Sequence, residues 1–562
     1  MTYVSNLVTR FRLFYLAVTP SQQLYIHPAP WPGFFISISA LISRLKLDIR
    51  ATRPIIDFHQ DSGPGAVFIM AFVVRTTIRG RFMPFQQRGL GIVDKNISSR
   101  GTLDKALRIN LDEKKYGTIV EIGAGQEVAR YFFKAGGAAG TIAKTMSAYD
   151  MKFSDAIYGV QKDGRYVSRG RVQAMLNKEF SLILERIGKS RSQTSRYFSY
   201  ATTVAAKSYR ADNECNAWCG IRAQMYPGAE PSDIVVHVRM RDDNADRQQQ
   251  ALGVFGVNLI YAAYYYFEDA KAVINSLTDN LEPGRIEIDS IEFHGPYFEE
   301  ISNRAINLHL IRSWKTRAVM FRPDGSVVIP ADMLHKKNVL AIRGSFRPVT
   351  RLNVDMIEQG LKSFTSLEGV TIDNSVALAE ISLNDLQGND LMVSEDDLIA
   401  RVCLLNSLGY SVMISDHTRY FSLRAYFRQF TKLQIGIVVG ISNIHQIFDQ
   451  ESYRGVEGGI LEGFGKLFPD NTRLLVYPEI DQSGELIDYS SIVLPANLRF
   501  LYQHLLENHF IFGIESSDKA LFKIFSRNIL KQLPNGRGSW EQDLPPGVAE
   551  EIIENRFFGY HG

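Results

Sequence analysis

Two layered α/β domains, the C-terminal one built on a largely parallel sheet, are the expectation for this chain of 562 residues, and three observations carry it. Short apolar runs ended by glycine or polar turns alternate with segments whose apolar residues recur every three or four positions. The alternation is most regular over 331–480, as strands joined by crossover helices would make it. With 45% hydrophobic and 22% charged residues the chain has ordinary globular composition, which excludes disordered, collagen-like and coiled-coil classes. The length exceeds what one hydrophobic core fills, so domains are expected over 83–330 and 331–562, the second with a helical C-terminal tail.

Residues 1–82 stand apart. They hold nine Lys/Arg, three Asp and no Glu, and Pro20, Pro28, Pro30, Pro32, Pro54 and Pro64 interrupt every apolar run. Either a transit-like extension or a start at Met83 accounts for this composition, and the segment is expected to be dispensable for folding. The remaining 480 residues carry 54 basic and 57 acidic side chains, so the formal +3 of the whole chain gives no electrostatic case for a nucleic-acid partner. No segment reaches the roughly 20 apolar residues of a spanning helix, so no membrane partner is expected.

The elements follow in order. Thr118 to Ile122 reads as a strand running into the turn Gly123-Ala124-Gly125. Val128, Phe132, Ala135 and Ala139 then repeat at helical spacing, Gly136-Gly137 end or bend that helix, and Thr141 to Ala148 resume it. A helix over 171–187, a strand over 233–240 and one long helix over 248–277 come next. Strand-like pieces at 284–294 and 317–329 follow, the latter broken by the turn Pro323-Asp324-Gly325. From there strands at 339–342, 410–414, 434–439 and 473–477 alternate with helices at 354–364, 395–408 and 418–430.

Three cysteines, Cys215, Cys219 and Cys403, form no disulfide framework, so a reducing, cytoplasmic setting is expected. Cys215 and Cys219 are spaced C-x3-C with no second pair, so a zinc site lacks ligands and no metal centre is expected.

The best candidate for chemistry is the join Gly344-Ser345-Phe346-Arg347-Pro348-Val349-Thr350, placed between a strand and an amphipathic helix. Such a join leaves backbone N–H groups free where phosphate oxygens bind. It resembles the G-x-F-x-P-x-T/H-x-G-H pattern of the nucleotidyltransferases that include nicotinate mononucleotide and pantetheine phosphate adenylyltransferases. Gly344, Ser345, Phe346, Pro348, Val349, Thr350, Asp355 and Ile357 match the pantetheine phosphate version. The family's second Gly falls on Leu352, its essential His on Asn353, and its acidic residue before Pro on Arg347. The resemblance covers about 25 residues and implies a small-molecule nucleotide as partner, ATP with Mg2+ as cosubstrate, and Thr350 and Asn353 at the catalytic positions. Arg419, in Ile414-Ser415-Asp416-His417-Thr418-Arg419, stands near the place of that family's triphosphate-binding Arg, with Asp416, His417 and Tyr420 beside it.

Glu121-Ile122-Gly123-Ala124-Gly125 is similar to the first motif of S-adenosylmethionine-dependent methyltransferases, with Glu127 where that pattern has Gly. Gly455 to Gly459 open an amphipathic helix, and His237, Arg239, Arg241, Asp242 and Asp243 cluster at a strand end. The first could receive an anion at the helix start, and the carboxylate pair of the second could hold a metal or act as acid and base, with salt-bridged loop charges as the favoured reading of that cluster.

Over 103–562 the chain is similar to a large uncharacterised bacterial family whose automatic names include nicotinate mononucleotide adenylyltransferase and TonB-dependent receptor. The carrying segments are EIGAGQEVARYFF, GGAAGTIAKTMSAYDM, RGSFRPVTRLNVDMI and EGGILEGFGKLF. A receptor barrel needs many strands of alternating residues with aromatic girdles, a pattern this chain lacks. The expectation is therefore a nucleotide-binding protein of adenylyltransferase ancestry, with transfer impaired because Asn353 cannot supply the cationic donor of a His. The alternatives are a scaffold that keeps the fold without catalysis, and a methyltransferase-like enzyme using 121–144.

Overall fold

The computed structural model describes residues 14–18, 24–28 and 100–562, apart from 162–163, 192, 209–213, 384–393, 470, 482, 517, 537 and 562. It divides into two compact units, Met1–Val93 and Asp94–Gly562. In the first, β1 (Phe14–Val18) pairs antiparallel with β2 (Leu24–Pro28). The remaining expectations for residues 1–82 lie outside the described residues.

The second unit holds two large sheets. The first contains β3 (Lys115–Gly123), β4 (Ile142–Met146), β5 (Arg196–Ala205), β6 (Asn216–Ala223), β7 (Ser232–Met240) and β8 (Ile286–His294), in the spatial order β4-β3-β5-β6-β7-β8. Its β4, β3 and β5 run parallel and the rest pair antiparallel. The helix Arg169–Ile187 covers one face, burying Val172, Met175, Leu176 and Phe180. On the other face lie the helices Thr102–Asn110, Glu127–Ala135 and Ala245–Tyr265. The last is buried almost without interruption from Ala251 to Tyr264, because the sheet covers one side and the two shorter helices the other. Gly256 permits this approach, since a Cβ there would stand 2.3 Å from Val128 Cγ2 and 2.6 Å from the Tyr200 hydroxyl.

The second sheet contains β9 (Ala318–Phe321), β10 (Val327–Val328), β11 (Asn338–Arg343), β12 (Ser375–Ser382), β13 (Ser411–Ser415), β14 (Ile435–Gly440), β15 (Thr472–Tyr477) and, after the small ribbon β16 (Glu479–Ile480) and β17 (Leu486–Ile487), β18 (Ile511–Gly513). Its order is β10-β9-β13-β12-β11-β14-β15-β18, with the six strands from β13 to β18 all parallel. Counted from β11, that is the doubly wound order 3-2-1-4-5-6. Both faces are covered, and alternate residues serve different cores. Leu340 and Ile342 meet the helices Arg351–Thr365 and Glu395–Ser407, while Val339 and Ala341 meet Tyr420–Phe427, Ile441–Ile447 and Gly459–Leu467. Two-sided burial explains why these strands read as continuous apolar runs.

Three expectations are corrected. Thr141 to Ala148 do not resume a helix: Gly136 and Gly137 take φ of 82° and 70°, and Ile142–Met146 become β4 beside β3. The segment 248–277 forms two helices, because Asp269 accepts from the N–H groups of Lys271 and Ala272 and starts a second helix, Ala270–Ser276. Strands β5, β6 and β12, which the apolar periodicity did not single out, are central or adjoin the centre of their sheets.

Candidate functional site

In a doubly wound sheet the crevice for a ligand opens at the carboxyl ends of the strands where the order reverses. Here that place lies between β11 and β14. The Gly344 loop leaves β11 at this point, and the helix Arg351–Thr365 begins at its far end.

Local chemistry shapes the loop. Phe346 is buried at 1% exposure with φ of 46°, a conformation a bulky residue adopts only when packing dictates it. Its ring lies beneath Gly344, where a Cβ would stand 3.0 Å from Phe346 Cζ. The Arg347–Pro348 peptide is cis. Thr350 caps the helix: its Oγ1 accepts from Asn353 N at 3.4 Å, and Asn353 Oδ1 accepts from Thr350 N and Oγ1, each at 3.0 Å. Asn353 Nδ2 is left without an acceptor among the described residues, as are the N–H groups of Ser345, Phe346, Arg347, Val349, Arg351 and Leu352.

Charges the sequence reading did not single out pin this loop. Arg343, at the end of β11, donates to Glu380 of β12 through Nε (2.6 Å) and Nη2 (3.1 Å), and to the carbonyls of His417 (2.6 Å) and Thr418 (3.0 Å). Glu380 also accepts from Ser415 Oγ at 2.5 Å. Arg401, fully buried on Glu395–Ser407, donates to Ser345 O at 3.1 Å and pairs with Asp397, which also accepts from Arg347 Nε at 2.6 Å. A signal existed for Arg401, since it interrupts the apolar run of its helix. Glu380 carried none, because only the pairing of β11 with β12 sets it opposite Arg343.

The unpaired N–H groups at this edge are donors of the kind that phosphate oxygens take. A protein-held Mg2+ does not fit this edge, since Glu380 and Asp397 are taken by arginines and no cluster of three His, Cys, Asp or Glu suited to a metal occurs among the described residues.

The other candidates lie elsewhere or are internally satisfied. Arg419 donates to Arg454 O at 2.9 Å. Beside it, burial and then Arg317 and Arg343 push the His417 imidazole down to about 3, so it is neutral. At the Gly-rich turn, Gly458 N donates to Glu462 at 2.7 Å, which closes that helix start with the chain's own carboxylate.

Glu121 and Gly123 belong to β3 of the first sheet, and Gly125 lies in the turn that follows it. Glu121 is 3% exposed and accepts from Val128 N (3.2 Å) and Ala129 N (3.1 Å), so it caps the helix Glu127–Ala135. The N–H groups that would receive a cofactor's anion are thereby occupied, and the residues at this turn do not fit such a group. Burial outweighs the two N–H donors and pushes the Glu121 carboxyl up to about 7 from 4.5. With the folded value above the unfolded one, Glu121 stabilises most below pH 4.5, and its contribution falls as pH rises through about 7. The change is at most about 3 kcal/mol, and melting curves from pH 4.5 to 8 should show it in the wild type and lose it in Glu121→Gln. Parallel curves for the two proteins would refute the assignment.

The chain is thus a layered α/β protein whose second sheet is doubly wound. No family model and no curated protein matches it. Among solved structures, it is similar to the competence/damage inducible protein CihA from Agrobacterium tumefaciens, at 18% identity over 29% of this chain and 96% of that one, with a TM-score of 0.23. Nicotinic acid mononucleotide adenylyltransferase of Plasmodium falciparum is similar at 15% identity over 40% and 98%, with a TM-score of 0.25. A putative nicotinate-nucleotide adenylyltransferase from Vibrio parahaemolyticus is similar at 15% identity over 40% and 96%, with a TM-score of 0.21. No helix among the described residues is long and apolar enough to cross a membrane.

Proposed function

We propose that this protein binds a nucleotide over the Gly344 loop, with adenylyl transfer weak or lost. The observation that carries the reading is the group of unpaired N–H donors at the loop and first helical turn, at the reversal point of a doubly wound sheet. Arg347 adds positive charge at the loop even though Asp397 engages it. Asn353 Nδ2 remains a neutral donor in the position that the resemblance gives to a His, so it can orient an oxygen without balancing the charge that develops on phosphate. The methyltransferase-like alternative has less support, because Glu121 already fills its helix start.

Calorimetric titration with ATP should give a saturable heat, and nicotinate mononucleotide with ATP should release little or no pyrophosphate. Sustained pyrophosphate release would establish a working transferase and overturn the impaired site. Absence of heat at millimolar ATP would remove the nucleotide reading and leave a scaffold.

A further inference from the structure

A cleft of about 350 Å³ lies away from the Gly344 loop, between the first sheet and the helix Pro330–Leu334. Its floor is unusual for a β-sheet surface. His237 on β7 and Trp218 on β6 are directly paired neighbours, and their rings stand 4.8 Å apart. The register between β7 and β8 shifts here, from His237 opposite Ser290 to Val238 opposite Ile288, so Asp289 is the extra residue of a bulge. A bulge re-aims a side chain that the pleat would send to the other face. Asp289 is brought within 2.5 Å of His237 Nδ1, both side chains being 2% exposed, and this fixes the imidazole with Nδ1–H donating to the carboxylate. Nε2 faces Asn216 Oδ1 at 3.3 Å.

Two further groups offer only donors. Trp218 is 5% exposed, lines the cleft, and its indole N–H has no acceptor among the described residues. The helix Arg169–Ile187 starts at the cleft wall, where the Ser168 side chain satisfies Arg171 N and leaves the N–H groups of Arg169 and Gly170 unpaired. Formal charges around the cleft are already balanced, Arg165 with Asp332, Arg169 with Glu292, and Arg239 with Glu214. Unmet donors, rather than net charge, set what the cleft accepts.

We propose that this cleft binds a small molecule through an oxyanion, carboxylate or phosphate, received by the Trp218 indole N–H and the N–H groups at the start of Arg169–Ile187, with His237 held by Asp289 as a positioning residue beside it. The volume suits a metabolite-sized ligand and excludes a folded partner.

The test uses the full chain labelled with 5-fluorotryptophan, whose Trp218 signal is assigned by its loss in Trp218→Phe. Inorganic phosphate and malonate are titrated separately at constant ionic strength in chloride. A saturable shift of the Trp218 signal with either probe, while the other three tryptophans stay still, is the expected result, and the responding probe identifies the oxyanion. Trp218→Phe, followed by calorimetry, should weaken that probe about tenfold or more, the scale of one hydrogen bond to a charged acceptor. Asp289→Asn should also weaken it, while a Gly344-loop nucleotide should bind that variant unchanged. No saturable shift with either probe, or full affinity in Trp218→Phe, overturns the proposal.

Discussion

Glu380→Ala should lower the unfolding free energy by about 3–5 kcal/mol, because it takes the Glu380 carboxylate away from a buried guanidinium. Glu380 is completely buried, and the Arg343 side chain is only 6% exposed. Without the carboxylate, the guanidinium keeps the carbonyls of His417 and Thr418 and the face of the Tyr420 ring, which carry no formal negative charge, and Ser415 Oγ loses its acceptor. Glu380→Gln should cost less, since one oxygen still accepts. Replacing both partners with apolar residues, Arg343→Met with Glu380→Leu, should recover much of the loss, as the desolvation cost of the pair disappears with it. Urea unfolding of the three variants beside the wild type decides this. A loss below about 1 kcal/mol for Glu380→Ala would mean that water or the remaining partners of Arg343 offset its charge without Glu380, and would overturn the assignment.

Gly123→Ala should cost about 2–4 kcal/mol, well above Gly125→Ala. Gly123 has φ of 84°, and a Cβ there would stand 2.6 Å from the carbonyl oxygen of Val204, a β5 atom held in the ladder with β3. Left-handed strain alone is about 1–2 kcal/mol, and the backbone overlap adds to it because β5 cannot retreat without breaking its pairing. Gly125 lacks a positive φ, and its Cβ would meet side chains alone, overlapping the Val204 Cγ2 methyl at 2.9 Å and touching Leu252 Cδ2 at 3.5 Å and Thr202 Cγ2 at 3.7 Å. That methyl can rotate away, so about 1 kcal/mol is expected there. Thermal melts of both variants test the contrast, and equal losses would place the constraint in the turn as a whole.

The glycine contrast shows where a sequence reading stops. Gly123-Ala124-Gly125 reads plainly as a tight strand-to-helix turn, yet which glycine is indispensable depends on Val204, 81 positions later by the numbering of the chain. The same limit applies to Glu121. Its carboxylate looks like part of a cofactor motif in the linear chain, and becomes a helix cap once β3 places it under Val128 and Ala129.

The chain's own periodicities determined the layered α/β class, the mostly parallel second sheet and the strand, loop and helix around Gly344, because each rests on spacings within about 20 residues. Gly344, Phe346, Thr350 and Asn353 cohere through contacts as local as a cap and a ring packed under a glycine. Tertiary structure alone decided the rest. The β4 segment became a strand because β3 offered it a pairing edge. Arg401 reached Ser345, and Arg343 reached Glu380, across separations of 56 and 37 residues. The His237 and Asp289 pair depends on a one-residue slip between β7 and β8. Such pairings are set by sheet register, and register follows from the fit of whole faces rather than from any short run of residues.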